Sequence, residues 1–200
     1  EDVREVMDLI EALVRLENLD QVPSVLGPLA EGESVEDRED RRLRRIRAFL
    51  AERGYFETLT GSLVRKEEGA EVKLSVPAGP EAAAIRNSLI PGILASAGRN
   101  VSRGTPDLKL FEIGRVAGEK GREEMRLGLL ASGRERPVDW QEKEEKVGPF
   151  SLQGVLEELR RSFPGLPNGT VVREASPVEK KQAGLKIPVW VAEIPLGSAT

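Results

Sequence analysis

The chain has 200 residues, 39% of them apolar, with 30 basic against 34 acidic side chains and a formal net charge of -4. That length suits one medium domain with a small appendage, and the charge balance offers no global positive field for nonspecific nucleic-acid binding. The absence of Cys and His excludes disulfides and every device built on thiolate or imidazole, leaving chemistry to carboxylates, Lys, Arg, Ser or Thr.

Residues 8–18 read as a helix, because Leu9, Leu13 and Leu16, with Ile10 and Val14, recur at spacings of three and four. Two prolines and two glycines between residues 22 and 32 break it. Ser34 followed by Asp37 resembles a capping box and predicts a second helix, running through Leu43, Ile46, Phe49 and Leu50 until Gly54. Its basic run, Arg41 to Arg47, reads as a solvated face around an apolar stripe, with a local RNA-binding patch as the alternative.

Residues 55–64 and the alternating Val72, Leu74 and Val76 are predicted as antiparallel strands. Pro91 sits where a first helical turn tolerates a missing amide hydrogen. Residues 108–116 and 125–131 read as strands. Residues 132–148 are mostly charged around Trp140 and read as a loop or short irregular helix. A helix over 150–163 buries Leu152, Val155, Leu156 and Leu159, and two strands, 170–172 and 185–194, close the chain around a polar turn. The crossovers are too short for a doubly wound parallel sheet, so the expected fold class is α+β, an antiparallel or mixed sheet flanked by helices.

Single residues carry expectations too. Glu112 lies between Phe111 and Ile113, points away from their face and is expected to pair with an arginine. Arg86 reads as a salt bridge across a turn, with a phosphate contact as the alternative. Gly114 answers a backbone need, and Trp140, Trp190 and Phe111 read as core.

The segment IRNSLIPGILASAGRN, followed by LKLFEIGRV, resembles the core of the beta subunit of phenylalanyl-tRNA synthetase, where LRxSLLPGLL…N runs into LFEIGRV. DLIEALVRLENLDQVP, LRRIRAFLAERGYFETLTGSLV and FSLQGVLEELRRSF resemble further segments of that family, in the same order. The resemblance implies a degenerate class II aminoacyl-tRNA synthetase core over residues 34–200. Residues 1–23 would close a preceding small domain, and 24–33 would be the linker.

In catalytic class II relatives an arginine directly follows a GRVY-like strand end and holds the ATP α-phosphate; here Gly118 stands in its place. No GxGxGxxR run supplies the second arginine. The resemblance therefore implies a chain with no catalytic residue and no ATP of its own, inactive alone. It would support a catalytic alpha subunit that ligates phenylalanine to tRNA with ATP and magnesium, the tRNA being met through the whole enzyme. The family's magnesium carboxylates match Asp2, Asp8 and Glu11, whereas Ala12 replaces a fourth. The alternative for Asp2 and Asp8 is a favourable charge at a helix N-terminus. No leader and no apolar run of about 18 residues is present, so a soluble cytoplasmic protein without membrane contact is expected. A free-standing paralogue that binds RNA or regulates another protein is the competing function, supported by Arg41 to Arg47 alone. The ends, EDVREVMD and GSAT, read as cut from something longer.

Overall fold

Apolar residues alternating along three long strands give the sheet two buried faces, and helices cover both. The computed structural model describes residues 5–17, 37–65, 72–77, 79–80, 82–118, 122–136, 145–167 and 170–198. They fall in two units, Glu1–Glu36 and Asp37–Thr200. In the first, α1 (Val6–Glu17) has no buried residue, and its Leu9, Ile10, Leu13 and Leu16 are exposed. The linker and Ser34 lie outside the described residues, as does Trp140.

The second unit opens with α2 (Arg38–Ala51), capped by the Asp37 side chain, which accepts from the Glu39 amide at 3.4 Å. Leu43, Ile46, Phe49 and Leu50 are its buried face, as their spacing predicts, and the helix gives way to Gly54 at φ 78°, a left-handed position that suits glycine. The strand expected over residues 55–64 is instead two short ones in different sheets. β1 (Phe56–Glu57) pairs parallel with β4 (Leu108–Ala117), and β2 (Leu63–Val64) pairs antiparallel with β3 (Ala84–Ile85). The break falls where the Thr58 and Thr60 hydroxyls turn inward to bond Ser96 and Glu112. The strand predicted around Val72 to Val76 is reduced to one bridge, Lys73 to Ala84.

Helix α3 (Ile90–Ser102) carries Pro91 in its first turn. β4 then pairs antiparallel with β5 (Glu123–Ser132) over their whole lengths, from Leu108 opposite Ser132 to Ala117 opposite Glu123. Helix α4 (Pro149–Ser162) buries Leu152, Leu156 and Leu159, with Val155 half-buried. The predicted strand at 170–172 is displaced to β6 (Arg173–Glu174), and the last strand, β7, begins later than expected and covers Val189–Ser198. The main sheet has the order β1-β4-β5-β7-β6 and is mixed, as the sequence implied. Phe111, Ile113, Leu127, Leu129, Ala192 and Ile194 pack with α2 and α4 on one face. Leu110, Leu130, Val189 and Val191 pack with α3 on the other. Among the described residues no helix is long and apolar enough to cross a membrane.

The supposed polar turn before β7 contains a helix, α5 (Pro177–Gln182). Its signal is Ser-Pro-Val-Glu, a capping box with proline at the first helical position: Ser176 and Glu179 bond each other's backbone amides. Arg173 grips the same Glu179 carboxylate through two nitrogens at 2.7 Å each. This hydrogen bond, ahead of the Ser176 amide, holds the Glu179 carboxyl down at about 2. A depressed carboxyl stabilises the fold above its unfolded pKa of about 4.3 and loses that contribution as pH falls through the folded value. Acidification from about pH 4.5 to 2 is thus expected to loosen α5, read as faster amide exchange at Lys180 to Ala183, and Glu179→Gln is expected to flatten that pH response. Unchanged protection across the window would contradict it.

Candidate functional site

Side-chain alternation places Glu112 of β4, Glu124 and Arg126 of β5 and Glu193 of β7 on the sheet face covered by α3. These four charges lie near the middle of the sheet. They form two knots.

The first knot is buried. Glu112 is 0% exposed and Arg86 5%, and Arg86 Nη1 donates to Glu112 Oε1 at 2.7 Å. The same nitrogen meets Thr60 O at 3.1 Å and Thr60 Oγ1 at 2.9 Å, while Arg86 Nε donates to the Arg115 carbonyl at 3.1 Å. The Thr60 amide and hydroxyl donate to the two oxygens of Glu112 at 3.2 and 2.7 Å. Desolvating a carboxylate and a guanidinium is costly, and it is tolerated here because each charge is met by several partners. Two glycines make the space: a side chain on Gly114 would strike the Arg86 guanidinium, and one on Gly92 would strike Thr60. The pairing of Glu112 follows the sequence reading, with Arg86 as the salt-bridge partner; Gly114, expected to answer a backbone need, instead leaves room for the Arg86 side chain. Thr60 carried no signal of its own, because one hydroxyl in a strand-like stretch is indistinguishable from a solvated one.

The second knot closes the start of α3. Glu193 accepts from the Leu89 amide at 2.8 Å and the Ser88 hydroxyl at 2.7 Å, and Ser88 Oγ accepts from the Ile90 amide at 3.1 Å. An acidic side chain at a helix N-terminus satisfies orphan amides and the positive dipole end. Arg126 completes the set, donating to Glu124 at 2.8 Å and to the Asn87 carbonyl at 3.1 Å, with Glu193 at 3.8 Å. The helix end that could receive an anion already holds one of the chain's own. Gly118 bonds its amide to the Arg122 carbonyl at 2.7 Å, and the space a side chain would take there is filled by the Glu124 carboxylate. Leu89 and Ile93 press on Gly128 from above, so the middle of this face is packed helix against sheet.

Of the candidate metal carboxylates, Asp8 and Glu11 have partners of their own. Asp8 Oδ2 accepts from the Glu5 amide at 2.9 Å at the start of α1, Glu11 pairs with Arg15 one turn on, and Asp2 lies outside the described residues. Among the described residues no three His, Cys, Asp or Glu side chains gather into a metal-binding group. Phe111 is core at 2% exposure, and Trp190 packs half-buried against the same cluster.

The fold is a mixed sheet with α3 laid across one face and α2 and α4 across the other. It is shared with PylSc, a pyrrolysyl-tRNA synthetase from Desulfitobacterium hafniense, at a TM-score of 0.56 and 11% identity over 95% of this chain and 72% of that one. The chain belongs to the family described as phenylalanyl tRNA synthetase beta chain CLM domain, which it matches over residues 22–197. It is 32% identical to the phenylalanine–tRNA ligase beta subunit of Coxiella burnetii, over 79% of this chain and 21% of that protein. The counterpart in Zymomonas mobilis is 35% identical over 70% of this chain and 18% of that protein. The chain thus spans about a fifth of the length of these relatives.

Proposed function

We propose that the chain is a non-catalytic, degenerate class II core within a phenylalanyl-tRNA synthetase beta subunit, and that it supports a catalytic alpha subunit through α2 and the strand that follows. The observation that carries this reading is the internal satisfaction of the sheet face. Glu112, Glu193 and Arg126 spend their charges on one another's neighbours, on backbone and on Thr60 and Ser88. Gly118 brings no donor where a developing phosphate charge would need one, and losing one such donor typically slows a reaction about 100-fold to 1000-fold. The whole enzyme, not this chain, would bind ATP and join phenylalanine to tRNA in the cytoplasm.

The chain alone is expected to show no phenylalanine-dependent pyrophosphate exchange and no aminoacylation, and to retain the catalytic alpha subunit when the two are co-expressed. Exchange activity in the isolated chain would refute the reading. So would steeply salt-dependent tRNA binding by the chain alone together with failure to retain alpha, the behaviour of a free-standing RNA-binding paralogue.

The same reading leaves magnesium as a ligand for Asp2, Asp8 and Glu11. Oxygen ligands suit the ion, and Asp8 and Glu11 sit three residues apart on α1. Calorimetric titration with millimolar magnesium tests the assignment: heat that Asp8→Asn removes would support it, and a flat titration of the chain would end it in favour of the helix N-terminus.

A further inference from the structure

We infer that the outward face of α4 around Gly154 is a seat for another segment of the same longer polypeptide, an apolar segment whose backbone comes close over the glycine and whose surface receives Phe150. This rests on the reading of the chain as part of a beta subunit, and adds a contact inside that polypeptide, separate from any made with the alpha subunit.

A glycine inside a helix lowers the folding equilibrium about fivefold relative to alanine, so a helix that keeps one needs a reason. The two in α3 have theirs within this chain: a side chain on Gly92 would strike Thr60, and one on Gly98 would strike the Ala183 carbonyl at the end of α5. Gly154 has no such reason among the described residues. It is exposed, and a side chain there would meet no packing neighbour within 4 Å. Helical spacing sets it on the side of α4 opposite the buried Leu152, Leu156 and Leu159. One turn earlier on that outward side, Phe150 is 83% exposed. A missing side chain beside a protruding ring is a relief into which a second backbone can pack closely.

The chemistry of the face selects the occupant. Its charges are already paired: Arg53 donates to both oxygens of Glu158, Gln153 donates to Glu157 at 3.3 Å, and Arg161 stands 3.9 Å from Glu157. A nucleic acid, whose affinity comes from cations that displace its counterions, finds no surplus positive charge here. Phe150 is the one large apolar side chain that α4 exposes. A single anchor falls well short of the apolar centre of a stable complex between separate chains, which buries about 1,200–2,000 Å² in total and must offset the freedom lost on association. That disfavours a second copy and a separate subunit alike. A tethered segment is held at an effective concentration of about millimolar and escapes most of that loss, so a small contact suffices. The relatives have chain to supply it, since this one spans about a fifth of their length.

Hydrogen exchange at the amides of Val155 to Arg161 tests this, measured in the 200-residue chain and in the complete polypeptide that contains it. Without substitution, these amides are expected to exchange about tenfold slower in the complete polypeptide, where the seated segment opposes local opening. Gly154→Ala is expected to slow exchange about fivefold in the chain, where helix propensity alone is at stake. In the complete polypeptide the same substitution is expected to speed exchange about tenfold, because the added methyl group forces the seated backbone away. Phe150→Ala is expected to leave the chain within about twofold of the unsubstituted rate and to speed exchange in the complete polypeptide. Gly154→Ala that slows exchange in both forms would show that no backbone approaches the glycine. Protection of the chain that grows with its own concentration would assign the face to a second copy, and protection that appears only on adding the alpha subunit would assign it to that subunit. Each of these three results overturns the inference and leaves the non-catalytic reading standing. Phenylalanine-dependent pyrophosphate exchange by the isolated chain would end that reading and leave these amides as they are.

Discussion

Glu112→Gln is expected to lower the unfolding free energy of the chain by about 3–5 kcal/mol, the range for removing one partner of a buried ion pair. The amide still accepts from Thr60, but the substitution withdraws the only carboxylate that meets Arg86 among the described residues. Arg86 has no exit, since its side chain is 6% exposed. Its positive charge would then be met by neutral oxygens, those of Thr60, Arg115 and the new amide. The paired change Arg86→Met with Glu112→Leu removes both charges and is expected to recover most of the loss, as replacing a buried pair by apolar groups often does. Urea midpoints at constant slope measure both. A loss below about 1 kcal/mol for Glu112→Gln would show that water or a rearranged partner reaches Arg86.

One residue earlier in β4 the chemistry reverses. Phe111 points to the other face, where it is 2% exposed among Leu43, Ile46, Leu127, Leu152 and Ile194. Phe111→Ala removes a large apolar group from a layer pressed between sheet and helices, and is expected to cost about 3–5 kcal/mol. Against a typical domain stability of about 5–15 kcal/mol, a chain near the lower limit would keep only about 0–2 kcal/mol. Leu59→Ala deletes nearly as much apolar surface from a site 89% exposed, and is expected to change stability by no more than about 0.5 kcal/mol. Thermal unfolding of the two variants side by side checks the contrast, and equal losses would contradict the burial pattern.

Where the sequence was legible, the reason was periodicity. Leu43, Ile46, Phe49 and Leu50 repeat at helical spacing and are buried together; Leu110, Phe111, Ile113 and Leu127 read as strand and are strand. Where one side chain competed with the backbone, periodicity misled. Residues 55–64 look like one strand, but Thr58 and Thr60 divert their hydroxyls to Ser96 and Glu112 and the strand splits. Val72, Leu74 and Val76 alternate cleanly, yet Val76 is exposed, so the alternation had no face to bury. α5 was missed although its Ser176 and Glu179 capping box is plain, because six residues are too few for an apolar stripe.

The candidate site was half legible. A glutamate between two apolar strand residues must find a counter-charge, which pointed to an arginine, but nothing local selects Arg86, 26 positions away, over its neighbours. Glu193 gave no warning, because a carboxylate late in a strand and a serine before a proline-started helix are unremarkable until the sheet brings them within 2.7 Å.

The parallel pairing of β1 with β4 sets a time order for folding. β4 and β5 are sequence neighbours whose strands pair over their whole lengths, and hairpins of that kind close in about 1–10 μs. β1 must instead wait for β4, since Phe56 meets Leu110 across the intervening α3, and the longer closure loses more chain entropy before any contact rewards it. The edge that carries Leu59 is accordingly assembled late. During synthesis it is completed only after the strands that support it have emerged and paired.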